Sequence, residues 1–115
     1  MIAKRDRMLA IAAFSAAIAI AAGAFGAHGA TGKEAEWLRT GGLYQLVHAV
    51  AVAAMTGRVI ARGPSVLLLV GSLVFAFSLY AMAFGGPKIL GMVTPFGGVL
   101  MIVGWVWLAL RPFRR

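Results

Sequence analysis

Residues 8–27 read MLAIAAFSAAIAIAAGAFGA, 20 positions with almost nothing polar among them. At about 1.5 Å per residue, such a helix is about 30 Å long, the thickness of a bilayer's hydrocarbon core. Of 115 residues 62% are hydrophobic and 12% charged, more apolar surface than a soluble core of that size can hide. The solvent for most of this surface is lipid.

On the N-terminal side stand Lys4, Arg5 and Arg7, which together with small residues near Ala27 imitate a secretory signal. The apolar run is longer than a signal core, so it is expected to be a first transmembrane helix. Three more runs follow, at about 43–60, 65–84 and 89–110. Gly41-Gly42 opens the second, Arg62-Gly63-Pro64 separates second from third, and Gly85-Gly86-Pro87 separates third from fourth. No repeat, low-complexity tract or second domain is evident. The expected fold is all-α: one domain over residues 1–115, an integral membrane four-helix bundle.

The net charge of +8 would suggest nucleic acid in a soluble protein, but the basic residues sit in short clusters between apolar runs and form no single face. The expected partner is the lipid bilayer, with a homo-oligomer or another membrane protein left open and nucleic acid excluded. Eight of the 11 Lys and Arg (Lys4, Arg5, Arg7, Arg58, Arg62, Arg111, Arg114 and Arg115) fall at the termini and in the second loop. Lys33, Arg39 and Lys88 fall in the first and third loops. Basic loops stay inside, so both termini are expected to be cytoplasmic. Trp37 and Tyr44 then mark the outer interface, and Trp105 and Trp107 the inner one.

The first loop has room for structure of its own. Thr31 with Glu34 three residues later has capping-box spacing, and Trp37-Leu38 could lie on the membrane surface. A short interfacial helix is expected there. Within the first span, Ala12, Ala16, Ala19, Gly23 and Ala27 recur at three- and four-residue spacing, giving a smooth stripe for close helix approach. Gly91, Gly97, Gly98 and Gly104 do the same in the fourth.

Polar side chains gather toward the outer side. His28 ends the first span in the stretch GAFGAHGA (residues 23–30), and Tyr44, Gln45 and His48 share a face early in the second. Ser78 and Tyr80 close the third, and Thr94-Pro95 begins the fourth, where Pro95 is expected to kink the helix. His48, Ser78 and Thr94 should lie within roughly 10 Å of the outer boundary. His28, Gln45 and His48, with Ser78 or Thr94, are therefore expected to form one hydrogen-bonded cluster with His48 at its centre. Polar groups in hydrocarbon turn inward and pair or line a wet cavity. The cluster is thus either an interhelical clasp or an outward-opening binding site. Two histidines with no cysteine and no carboxylate within a span make a poor metal site, and no cofactor is expected.

At these motifs the chain resembles the domain of unknown function 423 family of small inner-membrane proteins. The resemblance rests on GAFGAHG from Gly23, YQLVHA from Tyr44, GSLVF from Gly71, SLY from Ser78, and GMVTPFGG from Gly91, followed by Gly104-Trp105. It implies a four-helix membrane protein with no established activity. Gly23, Gly26, Gly71, Gly91, Pro95, Gly97, Gly98 and Gly104 carry over as a packing centre, and the polar residues as a shared site without catalytic assignment. At Ala76-Phe77 the family is expected to have smaller residues, which bears on packing at that side of the third span.

Other small four-span classes can be set aside. A small multidrug exporter needs a carboxylate within the membrane, yet Asp6, Glu34 and Glu36 all lie outside the spans. A fluoride channel's pore uses asparagine, which this chain lacks. No enzyme activity is expected, His48 beside Tyr44 being the sole candidate pair. Two classes remain: handling of a small solute or ligand through the polar layer, or a structural or assembly role in a larger membrane complex.

Overall fold

The structure, a computed structural model, describes residues 3–111. Arg114 and Arg115, counted in the basic bias, lie outside the described residues. Four α-helices account for most of the chain: α1 Lys4–His28, α2 Gly32–Met55, α3 Arg62–Ala83 and α4 Thr94–Leu110, with single 3-10 turns at Val59–Ala61 and Lys88–Met92. No strand occurs among the described residues.

Short connections make each helix antiparallel to the next. Ser15 meets Gln45, Gly26 lies beside Leu38, Gly41 beside Tyr80, Gly71 beside Gly97 and Gly63 beside Trp107. The packed pairs are α1 on α2, α2 on α3 and α3 on α4; α1 touches α3 only lightly, and α1 and α4 share no packing interface among the described residues. The helices therefore stand in a row in chain order, with α4 reaching α2 through Trp105 and His48, where a tight four-helix bundle was expected. The two middle helices are shielded on both sides, and the two outer ones present most of their surface.

Two core clusters hold the row. One, at the end where α1 begins, joins Ala12 and Val52 to Leu68 and Leu69; the other, at the opposite end, joins Leu38 to Ala76 and Tyr80. In lipid such contacts act through close van der Waals packing, because apolar side chains gain little by leaving hydrocarbon for protein. Small residues set the approach. On α1, Ala12, Ala19 and Gly26 are buried and Ala16 and Gly23 half-buried, whereas Ala27, placed on the same stripe by its spacing, is exposed.

The second helix differs most from the sequence reading. Residues 32–40 are helical, but they are the opening turns of α2 and not a separate interfacial helix. Thr31 is the N-cap residue, yet its side chain makes no capping hydrogen bond. Gly32, at φ +64°, supplies the left-handed backbone that turns the chain from α1 into α2. Gly41-Gly42 lies within the helix, and contact explains why. A Cβ on Gly42 would stand 3.0 Å from the Ala19 carbonyl oxygen, and one on Gly41 would stand 2.7 Å from the Tyr80 ring. The glycines let α2 sink between its neighbours, which offsets their helix cost of about 1 kcal/mol each.

Three segments are long and apolar enough to cross a membrane: Asp6–His28, Val59–Ala83 and Lys88–Leu110. The second expected span is not among them: α2 ends at Met55, and the apolar stretch before that end is interrupted by Arg39, Gln45 and His48. Arg62-Gly63-Pro64, expected to be a separator, forms the first turn of α3. Pro95 likewise lies in the first turn of α4, where its missing N–H has no intrahelical partner to lose, so it starts the helix instead of kinking it. Ala76 is fully buried and packs close to Gly41, while Phe77 turns outward against the edge of Tyr80.

Candidate functional site

The polar residues fall into three separate groups. The first bridges three helices: Gln45, fully buried on α2, donates from Nε2 to Ser15 Oγ of α1 at 3.0 Å and accepts at Oε1 from the Tyr80 hydroxyl of α3 at 2.6 Å. An amide can donate and accept at once, which suits glutamine to the middle helix of a row.

The second group centres on His48. Its Nδ1 lies 2.7 Å from the Tyr44 carbonyl oxygen and its Nε2 lies 3.0 Å from Trp105 Nε1 of α4. A carbonyl can only accept and an indole N–H can only donate, so the ring is neutral with its proton on Nδ1. With both nitrogens engaged, neither is free for a substrate or metal without breaking a contact. The Tyr44 ring stacks near His48 at 6.4 Å between centroids and packs on Phe75 at 4.9 Å.

The third group pairs Ser78 of α3 with Thr94 of α4 through their hydroxyls. Each hydroxyl also has a carbonyl of its own helix within reach, Phe75 at 2.9 Å for Ser78 and Leu90 at 3.4 Å for Thr94, so either can donate to the other. Thr94 and Trp105 are 11 residues apart, about 16 Å along α4, so the His48 group lies at a different depth from the Ser78 pair. No hydrogen bond joins the three groups among the described residues, and His28, exposed at the end of α1, belongs to none. Where one cluster was expected, the structure has three clasps at staggered levels. Every buried side-chain polar atom among the described residues has a partner.

Two participants, Ser15 and Trp105, were not among the polar residues expected to cluster. Ser15 stands three residues after Ala12 and four before Ala19, so the period of the small-residue stripe could have placed it on the packing face. Trp105 was assigned to the inner interface; its N–H, which needs a partner in apolar surroundings, finds one in His48 instead. Trp107 covers Gly63, and the Arg111 guanidinium lies 5.7 Å from its ring centre, an arrangement suited to a helix end.

The packing glycines divide in the same way. Gly71, Gly97 and Gly104 lie against the neighbouring helix: a Cβ on Gly97 would be 2.6 Å from the Gly71 carbonyl oxygen, and one on Gly104 2.8 Å from Leu68. Gly26 faces Leu38 at 3.0 Å. Gly23 and Gly98 have open space where a Cβ would go, and Gly91 has only Met82 at ordinary contact distance. Two cavities lie at opposite ends of the row, about 620 Å³ beside the start of α1 and about 380 Å³ around Phe25 and Phe84. Neither is lined by Gln45, His48, Ser78 or Thr94.

A family model described as "Protein of unknown function (DUF423)" matches residues 22–98. A UPF0382 membrane protein of Haemophilus influenzae is 36% identical over 119 residues, covering 96% of this chain and 96% of its own. The UPF0382 inner membrane protein YgdD of Escherichia coli is 35% identical, with 93% and 89% covered. The UPF0382 membrane protein SAB0533 of Staphylococcus aureus is 34% identical, with 90% and 93% covered. No solved structure matches the chain.

Proposed function

The chain belongs to the DUF423 family of membrane proteins, and from that premise we propose that it is a four-span inner-membrane protein with a structural or assembly role and no transport activity. The observation that carries this reading is that the polar groups are spent on one another. A solute path needs polar atoms turned toward a wet cavity. Here they close three interhelical clasps, and both cavities lie elsewhere.

In this reading α2 is the fourth span. Its 24 residues are about 36 Å long, enough for the apolar part to cross while the charged opening turns stand in the outer interface. A helix packed between two others can carry polar side chains on its buried faces, as α2 does with Gln45 and His48, while Leu43, Val47 and Val50 stay exposed. Both termini face the cytoplasm. Supporting this, the antiparallel order gathers Lys4, Arg7, Arg58, Arg62 and Arg111 at one end, against Lys33, Arg39 and Lys88 with Glu34 and Glu36 at the other.

The surface offered for assembly is the outer face of α1. Ala10, Ala13, Ala17, Ala21 and Ala24 are all exposed and fall within an arc of about 80°, opposite the face that packs on α2. Phe14 on one side and Ile20 on the other flank this second smooth stripe, the form on which another transmembrane helix packs closely. A photo-crosslinking residue in place of Phe14, introduced in living cells, tests the proposal. A discrete adduct with a second copy or another membrane protein, lost on Ala17→Phe, supports it. Adducts with lipid alone, unchanged by that substitution, refute it.

A further inference from the structure

The 620 Å³ cavity lies between the start of α1, the turn after α2 and the start of α3. Four cationic side chains line it, Lys4, Arg7, Arg58 and Arg62, and all four are exposed. No carboxylate is among the lining residues; Asp6, next to Arg7 in sequence, is not one of them. Like charges brought to one cavity repel, and an anion between them relieves the repulsion.

The lining also changes character along the helix axes. On α1, Lys4 and Arg7 at the helix start give way to Met8 and Ile11 deeper in; on α3, Arg62 gives way to Val66 one turn on. A free inorganic anion has no use for that apolar continuation. A phospholipid does, since its phosphodiester sits at the headgroup level and its acyl chains run into the hydrocarbon. The cavity's volume is also in the range of small-molecule sites.

We propose that this cavity binds one anionic glycerophospholipid, with the phosphodiester held by Arg58, Arg62, Arg7 and Lys4 and the acyl chains lying against Met8, Ile11 and Val66. The four cations come from three chain segments, so a bound lipid ties the starts of α1 and α3 to the turn after α2. Only residence in a bilayer is required. The site stands whether or not α1 docks a partner.

Native mass spectrometry tests the site directly. The intact chain is released from micelles doped with equal amounts of phosphatidylglycerol and phosphatidylcholine. Wild type should retain phosphatidylglycerol in preference. Arg58→Gln with Arg62→Gln should weaken that retention about fivefold for each charge removed, from roughly 1 kcal/mol per basic residue at a lipid surface. Lys33→Gln with Arg39→Gln, the same charge change at the other end, should leave it unaltered. All four side chains are exposed, so neither pair disturbs packing. Equal retention of the two lipids, or equal loss from both variant pairs, overturns the proposal. So does displacement of phosphatidylglycerol by excess inorganic phosphate, which would assign the cations to an anion with no use for the apolar wall.

Discussion

Replacing Gln45 tests how the row is held. Gln45→Leu keeps side-chain volume but removes both hydrogen bonds, to Ser15 at 3.0 Å and from Tyr80 at 2.6 Å. Ser15 can turn its hydroxyl back to a carbonyl of its own helix, as serines in helices do. Tyr80 has no such recourse, since its hydroxyl stands at the end of a rigid ring. An orphaned buried donor costs about 1–3 kcal/mol, and interhelical hydrogen bonds in membranes sit toward the low end, so Gln45→Leu should cost about 1–2 kcal/mol. Gln45→Ala adds a cavity that cannot collapse, because α1 and α2 already meet backbone to backbone one turn away, where Gly42 faces the Ala19 carbonyl. Burial in lipid removes the water-transfer part of a core truncation, leaving about 1–2 kcal/mol for the cavity and about 2–4 kcal/mol in total. Reversible unfolding in mixed detergent micelles measures both variants. In the Gln45→Leu background, Tyr80→Phe should restore part of the loss, since it removes the orphaned hydroxyl. A Gln45→Leu protein as stable as wild type, or a Tyr80→Phe change as costly in that background as alone, would show that this bridge does not hold the row.

The same measurement applied to His48 should show His48→Ala losing about 1–3 kcal/mol, because the Trp105 N–H is left without an acceptor, while His48→Gln, which keeps one, loses less. Neighbouring glycines on α4 should behave in opposite ways: Gly97→Val drives a side chain into the α3 backbone and should prevent stable packing, whereas Gly98→Ala meets open space and should be neutral or slightly stabilising in thermal melts. Reporter fusions after Arg111 and at Gly85 should read cytoplasm and exterior respectively; the reverse pattern would invert the orientation.

Much of the fold was legible because lipid imposes a simple rule on composition. The long apolar runs of α1, α3 and α4 needed only length to be recognised, and their small residues named packing positions through period alone. The start of the second helix escaped because glycine pairs carry two meanings, a break where they stand alone and a close contact where a neighbour lies against them. At Gly41-Gly42 the neighbours, Ala19 and Tyr80, lie more than 20 residues away along the chain. The polar residues Gln45, His48, Ser78 and Thr94 were legible as inward-facing, since hydrocarbon leaves them no other choice. Their partners were not. Depth counted from a helix start inherits any error in that start, and placing the start of α2 at Gly41 instead of Gly32 moved His48 toward the surface. That shift hid Trp105 as its partner and merged three clasps into one expected layer.

Water access beside Gln45 decides whether the polar groups close on one another as dry clasps. The chain has no cysteine, so Ser15→Cys, a near-isosteric change, places a single thiol beside Gln45. Labelling with a small, charged, water-soluble thiol reagent in membranes, with Thr31→Cys as the exposed reference, reads the answer as a rate. The thiol at position 15 should stay unlabelled while the reference reacts to completion. Labelling of both at comparable rates would mean that water reaches Gln45, and would contradict the clasp.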